Sequence, residues 1–240
     1  MPPEARTVGQ VVAEALRVYG TRFWPSVALG VGPALAGAAL AELPRTLVWA
    51  LLPTIGTAAW AAAYIGACRL ALGIDGGSFA VAFAVAFVAF LPLVLQRVVV
   101  LPGFDVLTLA FFAYVGLGAP AALVERRRFG DALRRGTALA RADYVHAFGS
   151  VAALVIVIFL SGLVLVILLH GFGDQAVRAA ALISLLVLAP VFLLGAALLY
   201  VDQNARAVDS FPRPTRSRDA HLHPSFEPDG AGRSDAEVEP

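Results

Sequence analysis

The segment ERRRFGDALRRGTALARADYVHAF, residues 125–148, holds six of the chain's eighteen arginines. Guanidinium groups present forked donors that suit phosphate oxygens. Arg127, Arg128, Arg134, Arg135 and Arg141 are therefore candidates for contact with anionic lipid headgroups. The remaining chemistry-bearing residues are scattered. Arg97 and Asp105 flank the break LPGFD, where they can pair across the turn, or Arg97 can snorkel toward headgroups. Arg69 and Asp75 bracket a second turn, and His170 and Asp174 a third. His221 and His223 form HLH, but two imidazoles without further ligands make a weak metal site. Ser161 precedes Gly162 without a GxSxG frame, and Glu125 is followed by arginines rather than a second acid. P-loop and dinucleotide-binding turns are absent from the sequence. The expectation is a non-enzyme with no catalytic, cofactor-binding or metal residues, and no nucleic-acid partner is implied.

The positioning elements follow from composition. Hydrophobic residues make up 59% of the 240, charged residues only 15%, and mean hydropathy is +0.79. Soluble domains are usually about 45–50% apolar and about a quarter charged. The excess lies in long unbroken runs, which indicates a membrane protein. The net charge of +1 says little, because its distribution matters more than its sum. Every basic residue is Arg, and with the abundance of Ala and Gly this suggests a GC-rich bacterial genome. Cys68 is the single cysteine, so an intrachain disulfide and a four-thiolate metal site are excluded.

A helix crosses the hydrocarbon core with about 20 apolar residues. Six stretches qualify: 23–41, 47–67, 79–101, 104–124, 148–169 and 179–200. Pro102-Gly103 separates the third from the fourth, since one helix through both would overshoot the bilayer. With the N-terminus inside, fifteen arginines fall on the inner side and three, Arg45, Arg97 and Arg178, on the outer. Arg accumulates on the cytoplasmic side of spans, so both termini are expected inside, in a bacterial cytoplasmic membrane. The 125–148 segment is then the main cytoplasmic loop.

Two amphipathic helices are expected on that side. In the loop, Phe129, Leu133, Ala140, Tyr144 and Phe148 recur at helical spacing, with arginines opposite. Such a helix lies in the headgroup plane; the alternative is a solvated loop helix without lipid contact. At the N-terminus Thr7-Val8-Gly9-Gln10 has capping-box spacing, and Val8, Val12, Ala15, Tyr19 and Phe23 share a face. This segment lacks the apolar core of a secretory signal.

From Gln203 onward aliphatic residues almost vanish, so a disordered cytoplasmic tail is expected. The fold class is thus all-α, a polytopic bundle of about six spans. The expected division is 1–22 amphipathic helix, 23–202 membrane domain with a cytoplasmic helix over 125–147, and 203–240 tail.

Five spans contain a proline, among them Pro33, Pro53, Pro92, Pro120 and Pro190. Broken helices occur in transporters, but packed bundles also tolerate them.

Three stretches resemble a group of bacterial membrane proteins: RTVGQVVAEALRVYGTRFWPSVALGVGPAL, GAPAALVERRRFGDALRRGTALARADYVHAFG and LLYVDQNARAVD. They are similar to the membrane domain associated with some glycerophosphodiester phosphodiesterases and to YciC-type membrane proteins. The resemblance covers roughly residues 5–209 and carries no catalytic motif. It implies a six-span protein without an assigned activity. The phosphodiesterase reaction belongs to a separate soluble barrel that this chain does not contain.

The function expected is structural, accessory or lipid-organising, with anionic membrane lipids as partners. The alternative is a permease-like subunit whose 125–148 helix couples to a cytoplasmic partner.

Overall fold

The structure, a computed structural model, describes residues 6–96 and 101–210, with side chains through Val208. All regular structure among these residues is helical. The helices are α1 Val8–Thr21, α2 Phe23–Ala41, α3 Arg45–Leu51, α4 Thr57–Leu72, α5 Phe79–Leu95, α6 Phe104–Val115, α7 Gly118–Val124, α8 Phe129–Ala142, α9 Tyr144–His170 and α10 Asp174–Ser210. A π-helical turn, Leu52–Gly56, joins α3 to α4. Five helical stretches are long and apolar enough to cross a membrane: Phe23–Ala41, Arg45–Leu72, Phe104–Val124, Tyr144–His170 and Asp174–Val208. The third expected span is a shorter apolar helix of 17 residues, Phe79–Leu95, rather than one reaching residue 101. Residues 97–100, Arg97 included, lie outside the described residues.

Prolines explain where the long spans break. Pro120 has no N–H to give the carbonyl of Gly116, four residues earlier, and the 104–124 span divides there into α6 and α7. The buried Tyr64 hydroxyl donates to that carbonyl at 3.2 Å and lies 3.4 Å from the Ala196 carbonyl. A neighbouring helix thus adds a donor to a carbonyl that Pro120 deprives of its i+4 bond and that the Ala119 N–H reaches only at 3.4 Å. Pro53 sits in the π-helical turn, where the Thr54 hydroxyl bonds back to the Leu51 carbonyl at 3.1 Å. Pro190 likewise withdraws the donor from Leu186, and α2 packs its Gly30 directly on that carbonyl. A side chain at Gly30 would overlap the Leu186 oxygen.

Helix α10 is the axis of the bundle and packs against α1, α2, α4, α8 and α9. Residues 189–200 are buried all round. Beside it, α4 packs on α5, and both carry buried small residues at helical spacing, Ala61 and Cys68 on α4 and Ala82, Val85, Ala86 and Ala89 on α5. Tyr64, Phe90, Phe112 and Phe192 fill the centre, with ring centroids 4.9–6.4 Å apart. In contrast, α9 beyond Leu154 exposes Ile156, Phe159, Leu160, Val164, Ile167 and Leu168, an apolar surface suited to lipid contact.

The chain passes back and forth so that α1, α8 and the last turns of α10 gather at one end. Eleven of the thirteen arginines among the described residues lie at this end, and Arg45 and Arg178 at the other. At the far end Arg178 pairs with Glu42 at 3.3 Å across exposed positions.

Two expected boundaries are corrected. The helix over 125–147 begins only at Phe129 and stops at Ala142. Asp143 leaves helical geometry (φ −151°, ψ 78°), and its carboxylate caps α9 by accepting the His146 N–H at 3.1 Å. Tyr144 and Phe148 therefore belong to α9 rather than to the loop helix. A disordered tail does not begin at 203 either, because α10 runs unbroken to Ser210. The expected tail lies outside the described residues from 211 onward.

Candidate functional site: the arginine cap

Helix α1 forms as its capping box predicts. The Thr7 hydroxyl accepts the Gln10 N–H at 3.4 Å, and the Gln10 side chain accepts the Thr7 N–H at 2.8 Å. Its buried face centres on Val11 and Ala15, with Val12 and Tyr19 half-buried and Phe23 exposed. This face packs on α9 and α10, placing Arg6 beside the end of α10.

The sequence YVDQNAR, residues 200–206, supplies two pairs at i, i+4 spacing. Such pairs lie one turn apart on one face, and a two-residue offset sends the second pair to a different flank. The first pair is Tyr200 and Asn204. Glu125, just after α7, accepts the Tyr200 hydroxyl at 2.9 Å and the Arg135 Nε at 2.9 Å on Oε1. Its Oε2 accepts from Arg127 Nε, and Arg135 Nη2 reaches Asn204 Oδ1 at 2.8 Å. Burial pushes the Glu125 carboxyl upward, but hydrogen bonds from Arg135, Arg127 and Tyr200 outweigh it and hold the group below its ordinary value.

The second pair is Asp202 and Arg206. The Asp202 carboxylate is fully buried, with Oδ2 at 2.9 Å from His146 Nε2 and 3.0 Å from Arg206 Nε. Its Oδ1 accepts the backbone N–H of Arg6 at 2.6 Å. Arg206 also donates to Asp143 Oδ2 at 3.0 Å and to the Arg6 carbonyl at 2.5 Å. Four segments, before α1, between α8 and α9, at the start of α9 and at the end of α10, thus meet on one carboxylate and one guanidinium. Removing one partner of a buried pair is far costlier than replacing both. Both carboxylates are occupied by donors from neighbouring segments, so each ties those segments together.

Of the five arginines singled out from the sequence, Arg127 and Arg135 bind Glu125, and Arg141 donates to the Tyr114 hydroxyl at 2.7 Å. Arg128 and Arg134 are exposed. The inner face of α8 consists of Ala132, Gly136, Leu139 and Ala140, with Leu133 half-buried and Phe129 exposed. This face packs on the bundle itself. Gly136 crosses α7 so closely that a side chain there would overlap the Gly118 backbone.

The other sequence candidates stay apart. Asp105 is exposed, and its proposed partner Arg97 lies outside the described residues; instead Thr108 ties that turn, donating to Gln96 Oε1 at 2.5 Å. His170 and Asp174 are exposed, and the Ser161 hydroxyl is engaged by the Val157 carbonyl at 2.8 Å. His221 and His223 lie outside the described residues. Among the described residues no group of three His, Cys, Asp or Glu side chains is placed to hold a metal ion.

His146, Asp143, Asp202 and Arg206 were missed by sequence reasoning, although the 4-residue spacing in YVDQNAR was a usable signal that the last helix continues. Residues 6–35, 118–149 and 198–209 supply every member of both networks. No family model, characterised protein or solved structure matches this chain.

Proposed function

We propose that the chain is a non-enzymatic multi-pass protein of the bacterial cytoplasmic membrane, of the kind its sequence resembles, with a structural or lipid-organising role. Both termini lie in the cytoplasm in this reading. The observation that carries it is the charge division between the bundle ends, eleven described arginines against two. Arginine is retained on the cytoplasmic side of spans, and an arginine-rich end is attracted to an anionic leaflet. The mutual engagement of Glu125, Asp202, Arg135 and Arg206 supports a structural cap over a catalytic one. Exposed Arg128 and Arg134 remain available to headgroups.

Two measurements test this reading. In intact cells, cysteines placed at position 130 on a Cys68→Ser background should resist an impermeant thiol reagent, and those at position 172 should react. The reverse pattern sinks the orientation. Extraction with the surrounding lipid should then show anionic phospholipid enriched around the protein relative to bulk membrane. An unenriched annulus removes the lipid-organising role, and a stoichiometric copurifying ATPase would establish the permease-like alternative.

A further inference from the structure

A cleft of about 520 Å³ opens at the arginine-rich end, lined by Arg22, Pro25, Leu29, Gly66, Arg69, Leu70, Gly73 and Asp75. It is separate from both ion-pair networks and lies where α1 turns into α2, against the end of α4. Arg22 is exposed and donates through Nη1 to the Leu70 carbonyl at 2.9 Å, which leaves its other donors toward the cleft side unclaimed by that bond. Arg69 stands with its guanidinium carbon 5.8 Å above the Phe79 ring, yet its buried Nε has no hydrogen-bond partner. A buried donor without an acceptor is costly, and more so on a charged group. Arg69 and Asp75 both line the cleft, but among the described residues they form no ion pair with each other.

We infer that this cleft seats the phosphodiester of an anionic phospholipid from the adjoining leaflet, on Arg22 and Arg69. The inference rests on the membrane placement proposed above. Two guanidiniums and one carboxylate give the lining a charge of +1, which a single phosphodiester neutralises. Asp75 repels a second negative charge, so a doubly charged phosphomonoester is disfavoured. Arg126 lies against Gly76, beside Asp75, and adds positive potential at the rim. The remaining walls, Pro25 and Leu29 of α2 and Leu70 of α4, are apolar, as acyl chains require. Exposed Trp24 and Phe23 stand next to Arg22, where aromatic side chains settle at the membrane–water boundary. Basic pockets between spans on the cytoplasmic side are established headgroup sites in general.

The test uses the full chain, titrated in mild detergent with dioleoylphosphatidylglycerol, dioleoylphosphatidylcholine or sn-glycerol 3-phosphate, with thermal unfolding as readout. Phosphatidylglycerol should stabilise the protein saturably, and the other two much less. Arg22→Gln and Arg69→Gln should each weaken its apparent affinity about tenfold, as expected for loss of a charge-assisted contact. Arg69→Lys should retain part of the effect. Asp75→Asn should improve the response to glycerol 3-phosphate. Should Arg69→Gln fail to accumulate, the exposed Arg22→Gln carries the comparison. The inference is overturned by Gln variants that titrate like the parent, or by an equal loss in an Arg45→Gln control at the opposite end of the bundle. Equal stabilisation by glycerol 3-phosphate and lipid also overturns it. A parent chain that integrates into bilayers but ignores phosphatidylglycerol rejects the cleft alone; failure to integrate rejects the membrane placement as well.

Discussion

Gly30 of α2 rests on the backbone carbonyl of Leu186 in α10, the carbonyl that Pro190 deprives of its helical donor. The two helices can approach this closely because one residue lacks a side chain and the other offers an oxygen whose i+4 residue, a proline, has no N–H. Gly30→Ala should therefore force α2 and α10 apart and cost about 1–3 kcal/mol, the usual range for overpacking. Gly162→Ala, whose new methyl would meet Ser184 at an ordinary 3.6 Å, should be nearly neutral. Thermal unfolding of both variants in the same detergent checks the contrast; equal losses would refute it.

A second prediction concerns Tyr64 and Pro120. Tyr64→Phe leaves the Gly116 carbonyl without its hydroxyl donor and should cost about 1 kcal/mol, as buried hydrogen bonds in membrane proteins do. Pro120→Ala restores an N–H four residues after Gly116. In that background Tyr64→Phe should cost less, giving measurable coupling in a double-mutant cycle. Strict additivity would show that the hydroxyl does not serve that carbonyl.

The Asp202–Arg206 pair should behave as a buried network. Arg206→Ala takes a charge-assisted donor from the fully buried Asp202, and should cost about 3–5 kcal/mol. Replacing both residues with Asn and Gln should recover part of that loss. A single-variant cost below about 1 kcal/mol, typical of exposed pairs, would mean the network is solvated.

Glu125 sets an acid limit on the cap. Its folded carboxyl lies below the ordinary value of 4.5, so its stabilisation is present above that value and is lost as pH falls through the folded one. Stability of the parent should decline as pH drops below about 4.5, and Glu125→Gln should flatten that decline. Unfolding midpoints measured from pH 6 down to pH 3 compare the two. Parallel curves would assign the acid sensitivity to other carboxylates.

Hydropathy made the helical class and most spans legible, and the Thr7–Gln10 capping box marked the start of α1 within one residue. Periodicity failed at Asp143 because its polar side chain ends one helix and caps the next without disturbing the apolar spacing of Tyr144 and Phe148. It failed again past Val201, where a helix continues with few apolar residues because its polar side chains are paired inside the protein. The arginine loop was read correctly as helical, but its apolar face is taken by the bundle. Nothing local in the sequence distinguishes a helix that faces lipid from one that faces its own spans. His146 gave no signal, since a lone histidine acquires meaning only from Asp202, 56 positions away.

The Arg6–Asp202 bond joins groups 196 residues apart in sequence. A ribosome adds about 5–20 residues per second, so the carboxylate that holds the N-terminal segment emerges roughly 10–40 s after its partner. In the last part of that interval Asp143 and His146 are already made, yet Arg206 and Asp202, which engage them, have not been synthesised. The cap can close only when the last helix arrives. Ion pairing around Asp202 therefore reports that the last helix has been made, and a nascent chain stalled before Tyr200 presents Asp143 and His146 without those partners to whatever insertion or quality-control machinery surrounds it.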